Sequence, residues 1–237
     1  MGRRARLIIF LLGLPLFGQQ GKDVPEDHRP PLFLREDWKD ISNRRGGVPV
    51  TQAVIATPDV EVKVYGVEKA GVDPDIGIFT NRRASPKDDP TFVWTGPCRK
   101  PCALALRNKT SYMDLTGLAK VRWRTKQTGF HYLRPIVKLP GGTWLVGDHA
   151  EPPSTDWLVT EFSFADVRWH YLNIDQVVTT RTSEWVANPD LSKVDEIGFT
   201  DLMPGNAADN GHGTSGASRV DWIEVYANPV PRVAGTN

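Results

Sequence analysis

The chain has 237 residues, 40% hydrophobic and 24% charged, with 29 Lys and Arg against 28 Asp and Glu and a formal net charge of +1. The apolar share allows a sizeable core, and the near-neutral balance gives no whole-molecule attraction to nucleic acid. With 19 Pro and 21 Gly, turns are frequent, which favours an all-β fold over a helical one.

Taken in order, the chain begins with Arg3, Arg4 and Arg6 ahead of an apolar run, residues 7–17, too short to span a bilayer comfortably. Residues 1–18 read as a signal peptide. Its removal takes away three positive charges, moves the formal charge from +1 to −2, and leaves no membrane span. A secreted or periplasmic location follows. Residues 19–31 are polar and Pro-containing, a flexible N-terminal arm. Ordered sequence begins at Leu32, with short strands expected over 32–38, 48–57 and 60–65, and a long surface excursion over the turn-rich residues 66–90. Further strands are expected over 91–95 and 103–107. Cys98 and Cys102, the only cysteines, predict a small disulfide in an oxidising compartment. With no His nearby they do not make a zinc site.

Residues 119–148 carry the clearest pattern. Val121, Trp123 and Thr125 point one way and Arg122, Arg124 and Lys126 the other, because strand side chains alternate. After a turn at 127–129, His131, Leu133, Pro135, Val137 and Leu139 fall on one face, and Tyr132, Arg134, Ile136 and Lys138 on the other. If the two strands pair as a hairpin, their cations and Tyr132 share one face. Strands over 157–164 and 167–172, a short helix or turn within 173–192, and strands over 193–202 and 218–226 complete a single domain, residues 32–227. Residues 228–237 read as a flexible tail. Many short strands separated by turns predict an all-β, two-sheet antiparallel β-sandwich of the jelly-roll kind.

The closing run Ser218-Arg219-Val220-Asp221-Trp222-Ile223-Glu224-Val225-Tyr226 resembles the last strand of galactose-binding-like jelly rolls, a group that includes carbohydrate-binding modules and the complex I intermediate-associated protein 30 group. Phe33-Leu34-Arg35-Glu36-Asp37-Trp38 resembles their first strand, residues 115–124 a turn into a central strand, and Val194-Asp195-Glu196-Ile197-Gly198-Phe199 the penultimate strand. The phrases WRTKQTGF, DEIGFTDLMPG and DWIEVY are also similar to a group of uncharacterised secreted bacterial proteins, a likeness that implies no mechanism. The jelly-roll resemblance implies a structural calcium, with Glu36, Asp37 and Asp221 on the matching regions as its hard oxygen ligands. No other cofactor is implied.

The basic face offers the binding chemistry. Arg forks match a carboxylate or sulfate, and a flat aromatic side chain can cover a sugar ring. Arg122, Arg124, Lys126, Tyr132, Arg134 and Lys138 are therefore candidate ligand contacts, with Trp144, beside Gly141 and Gly142, as a candidate sugar platform. The competing reading is a solvated outer face whose cations pair with Asp or Glu on neighbouring strands. Enzyme motifs are absent: there is no nucleophile elbow, His-Glu-x-x-His or phosphate-binding loop. The expectation is a non-catalytic protein with a glycan or other carboxylated ligand. Two alternatives stand beside it. One is a polysaccharide-active enzyme, above all a β-eliminating lyase of acidic glycan using Tyr132, Arg124, Arg134 and Lys138. The other is an envelope assembly protein.

Overall fold

The computed structural model describes residues 28–41, 47–67, 76–80, 90–180, 184–205 and 216–232. The expected signal peptide, residues 1–18, and most of the expected arm, residues 19–31, lie outside them. The described residues form, in order, β1 (Leu32–Glu36), β2 (Val60–Tyr65), β3 (Phe79–Thr80), β4 (Val93–Trp94), β5 (Ala103–Asn108), β6 (Ser111–Asp114), β7 (Lys120–Thr128), β8 (Arg134–Lys138), β9 (Trp144–Gly147), β10 (Leu158–Ser163), β11 (Trp169–Asn173), β12 (Val178–Thr179), β13 (Glu196–Thr200), β14 (Ala217–Tyr226) and β15 (Asn228–Pro231). The first sheet runs β10-β7-β14-β4-β3, with β1 also on β14. The second runs β12-β11-β9-β8-β13-β5-β2. All pairings among the described residues are antiparallel, and the result is the expected all-β sandwich.

The core lies between the two sheets and follows from alternation. On β7, Val121, Trp123, Thr125 and Gln127 are buried, and Lys120, Arg122, Arg124 and Lys126 face outward. Trp123 meets Phe162 with ring centroids 5.2 Å apart, and its indole N–H donates to Glu151 (3.0 Å) and to the Thr160 hydroxyl (2.9 Å). Leu104 and Leu106 of β5, Val137 of β8, Leu145 of β9 and Ile197 of β13 close the core from the second sheet. Each such side chain contributes about 1.5–3 kcal/mol by leaving water. The predicted disulfide is present: Cys98 and Cys102 are bonded at 2.05 Å and buried.

The hairpin expectation is corrected. β7 pairs with β10 and β14, and β8 pairs with β9 and β13 in the opposite sheet. The connection between them is too long for a tight two-residue turn. It buries His131 and Leu133 as it crosses the end of the sandwich. His131 Nδ1 lies 2.7 Å from Asp201 Oδ2, and the same oxygen accepts from Thr95 at 2.9 Å. The bulky sets of β7 and β8 thus meet across the core instead of side by side.

Other boundaries also shift. Residues 48–57 hold an isolated bridge at Pro49 and a 3-10 turn, Gln52–Val54, instead of a strand. The described part of the 66–90 excursion returns to add β3 beside β4. Within 173–192 the described residues form a turn and the short β12, with no helix. The expected free tail is a strand as far as Pro231. β15 pairs with β6, and Arg232 then reaches Asp195 (2.6 Å) and stacks over Tyr112 (4.0 Å). Two prolines in four residues concealed it, since Pro cannot donate to a ladder and is tolerated at an edge.

Candidate functional site

The outer face of the second sheet is partly a second core. Ala103 and Ala105 on β5, Ile136 on β8, Trp144 and Val146 on β9 and Leu172 on β11 alternate with core residues and so point outward. The turn between β11 and β12 folds back over them and buries Val177 completely. Gly66 makes room for it: a Cβ there would stand 2.5 Å from Val177 Cγ2 and 2.2 Å from the Pro101 carbonyl oxygen. Trp144, expected as an open platform, is only 6% exposed and meets Tyr65 edge-on with ring centroids 5.0 Å apart. It is a wall, held by packing.

Beside this patch is a carboxylate with no exposure. Glu196 accepts from Lys138 (2.8 Å), Lys63 (2.9 Å) and the Tyr65 hydroxyl (2.8 Å). Burial would push its carboxyl up, but those hydrogen bonds outweigh burial and hold it below the usual range. Burial pushes the Tyr65 hydroxyl up, and the Glu196 charge adds to this. Lys138 also reaches Asp195 at 3.3 Å. It is a structural cation here, with its charge already matched.

The cations of β7 are on the other side of the molecule. Arg124 pairs with Asp221 (2.8 Å), Arg122 with Glu224 (3.8 Å) and Lys120 with Glu161 (2.9 Å). Arg35 and Arg122 lie 4.9 and 5.5 Å from the Trp222 ring, and Arg124 5.5 Å from that of Trp157. Among the described residues Lys126 has no ion-pair partner. Tyr132 is exposed on the crossing segment. The structure therefore separates the set: Arg122, Arg124 and Lys126 lie on the first sheet, Arg134, Lys138 and Trp144 on the second, and Tyr132 between them.

The three acids implied as calcium ligands are engaged with protein donors. Glu36 points inward and accepts from the backbone N–H groups of Trp38 (3.1 Å), Ala56 (2.6 Å) and Thr57 (3.1 Å). Asp37 accepts twice from Arg35, at 2.8 and 2.6 Å, and Asp221 is held by Arg124. Among the described residues no three His, Cys, Asp or Glu side chains gather as a metal-binding group.

Among the described residues, an open cleft of about 690 Å³ lies between two turns of the second sheet. One turn, 140–143, is closed by Leu139 N–H donating to the Thr143 carbonyl (2.8 Å) and uses Gly142 at φ 88°. The other follows β11, where the Asn173 side chain accepts from the backbone of Asp175 (3.1 Å) and Gln176 (3.2 Å). Tyr171, 41% exposed, stands in the cleft with Thr143, Asn173, Asp175 and Thr180, and Trp144 backs it. An aromatic ring beside short polar side chains can cover one face of a sugar and bind its hydroxyls. The sequence reading found this turn through Trp144 but missed Tyr171. Tyr171 shares its strand face with the core residue Trp169, and nothing in the sequence shows that the sandwich stops covering it.

Fold and cleft together define an antiparallel β-sandwich with an open cleft beside the turns of its second sheet. No protein-family model and no curated protein matches the chain. Among solved structures it is similar to the family 11 carbohydrate-binding module of the cellulosomal cellulase Lic26A-Cel5E of Clostridium thermocellum, at 15% identity and TM-score 0.39, covering 82% of this chain and 99% of that one. It is also similar to a mutant of the family 29 module CBM29-2 complexed with cellulohexaose, at 10% identity and TM-score 0.40, covering 82% and 94%. A third, an exo-β-agarase, matches at 13% identity and TM-score 0.36, over 72% of this chain and 23% of the agarase. The likeness is one of architecture.

Proposed function

We propose that the protein is an exported, non-catalytic sandwich that binds a glycan, with the cleft at Tyr171 as its contact surface. The observation that carries this is an exposed aromatic ring set among Thr143, Asn173 and Asp175 in an open cleft of about 690 Å³. The buried disulfide suits an oxidising compartment. The lyase alternative needs Arg124, Tyr132, Arg134 and Lys138 around one uronate. With β7 and β8 in opposite sheets, Arg124 and Arg134 point away from each other, and Lys138 is held by Glu196.

Affinity electrophoresis against a panel of soluble polysaccharides tests the reading. At least one should retard the protein, and Tyr171→Ala should weaken that binding about tenfold or more while the protein stays folded. Equal retardation of the two proteins would remove the cleft as the contact surface.

A further inference from the structure

A second constellation lies on the outer face of the second sheet, ahead of β11. The ladder registers place Arg134 of β8 beside Asp148, just past β9, and Asp148 beside Arg168, just before β11. The two arginines are therefore two strand spacings apart, about 10 Å, on one face. Asp148 fixes Arg168 completely. Its carboxylate accepts from the Arg168 backbone N–H (2.9 Å) and from Nε (2.9 Å), and its own N–H donates to the Arg168 carbonyl (2.9 Å).

The rest of the Arg168 fork is open, with its side chain 66% exposed. The guanidinium carbon stands 4.1 Å from the ring of Trp185, which is 42% exposed. His170 packs on the same indole at 3.8 Å, and its Nδ1 donates to the Glu184 carbonyl at 2.8 Å. Val186 N–H donates to the Trp169 carbonyl (2.8 Å) and so holds this segment along the edge of β11.

Arg134 is the informative partner. Its Nη1 reaches only the backbone carbonyls of Asp148 (3.2 Å) and Gly147 (3.4 Å). Among the described residues no carboxylate is within ion-pair reach of it, whereas Arg35, Arg122 and Arg124 on the first sheet each have one. Two guanidiniums thus stand near one carboxylate that only Arg168 engages, beside a half-exposed indole. An excess cation presented as a pre-oriented fork is suited to an oxyanion, and the indole adds apolar surface for the ring that carries it.

We propose that Arg134, Arg168 and Trp185 form a subsite for an oxyanion group, carboxylate or sulfate, carried on a polysaccharide. This rests on the glycan-binding reading and extends it to acidic chains. The subsite lies just before β11 and the Tyr171 cleft toward its end.

The test uses the whole mature protein in titrations against polygalacturonate for the carboxylate, carrageenan for the sulfate, and an uncharged glucan. The Arg134→Gln/Arg168→Gln double variant should lose at least tenfold in affinity for one of the two acidic polymers, and the polymer affected identifies the anion. Rising salt should weaken wild-type binding to that polymer. Arg122→Gln, on the opposite sheet, should change it less than twofold. Should the double variant melt early, Arg134→Gln alone serves, since that side chain contacts only two carbonyls. Unchanged acidic-polymer affinity in the arginine variants, or an equal loss in Arg122→Gln, would overturn the subsite. Loss of acidic binding in the arginine variants with no effect of Tyr171→Ala on any polymer would keep the subsite and remove the cleft. Binding of the glucan alone would keep the cleft and remove the subsite.

Discussion

The outer faces of the two sheets carry similar side chains and use them in opposite ways. On the first sheet, Arg35, Arg122 and Arg124 lie over Trp222 and Trp157, part-exposed, and are neutralised by the buried Glu224 and Asp221 and the exposed Asp37. On the second, the middle is roofed by Val177 over Trp144 and Ile136, one cation is tied to a buried carboxylate, and the open ground lies at the two ends. A basic, aromatic strand face is therefore not a site by composition. What decides is whether each cation already has its acid and whether another segment covers the rings.

The largest break in this contrast should come from Trp144→Ala. The side chain is buried in the roofed patch, and its loss should cost about 3–5 kcal/mol by chemical denaturation. A change that weakened glycan binding without lowering stability would instead make Trp144 a platform.

Next is Glu196→Gln, which leaves Lys138 and Lys63 beside a neutral amide. About 3 kcal/mol is expected, the low end for a broken buried pair, because the Lys63 side chain is 46% exposed and can return to water. The pH dependence has a defined direction. The Glu196 and Asp195 carboxyls are held below their ordinary values, so they contribute stability in full at neutral pH and lose it as pH falls through the depressed values. Melting curves of wild type and Glu196→Gln should converge as pH drops below about 4. A constant gap across that range would assign the loss to packing.

The smallest effect belongs to the first sheet. Arg122→Gln should cost only about 0.5–1 kcal/mol, since the pair with Glu224 is long at 3.8 Å and Arg122 is exposed. A loss as large as that of Glu196→Gln would mean the two faces are not distinct in energy.

Much of this fold is legible in the sequence. The alternation of β7 places Trp123 inward and its arginines outward, and the spacing of Cys98 and Cys102 gives the disulfide. Pairing partners are not legible, because alternation fixes which face a side chain takes but not which sheet its strand joins. That is why Arg124 and Arg134 read as neighbours. Trp144 read as open because its cover, Val177, sits at φ 53° in a polar turn that gives no hydrophobic warning. Arg134 could be named as a cation, but its lack of a carboxylate depends on where β8, β9 and β11 finally lie.

One topological feature sets the order of events as the chain is made. β14 pairs with β7 along one edge and with β1 and β4 on the other, so the middle of the first sheet is a strand ending at Tyr226. A chain emerging N-terminus first has β1 and β4 long before it has the strand that joins them to β7. The first sheet can close only when nearly the whole sequence is out, and such distant pairings form slowly. Until then β1 and β4 wait without the strand that joins them to β7, and closure of the sandwich is the last step.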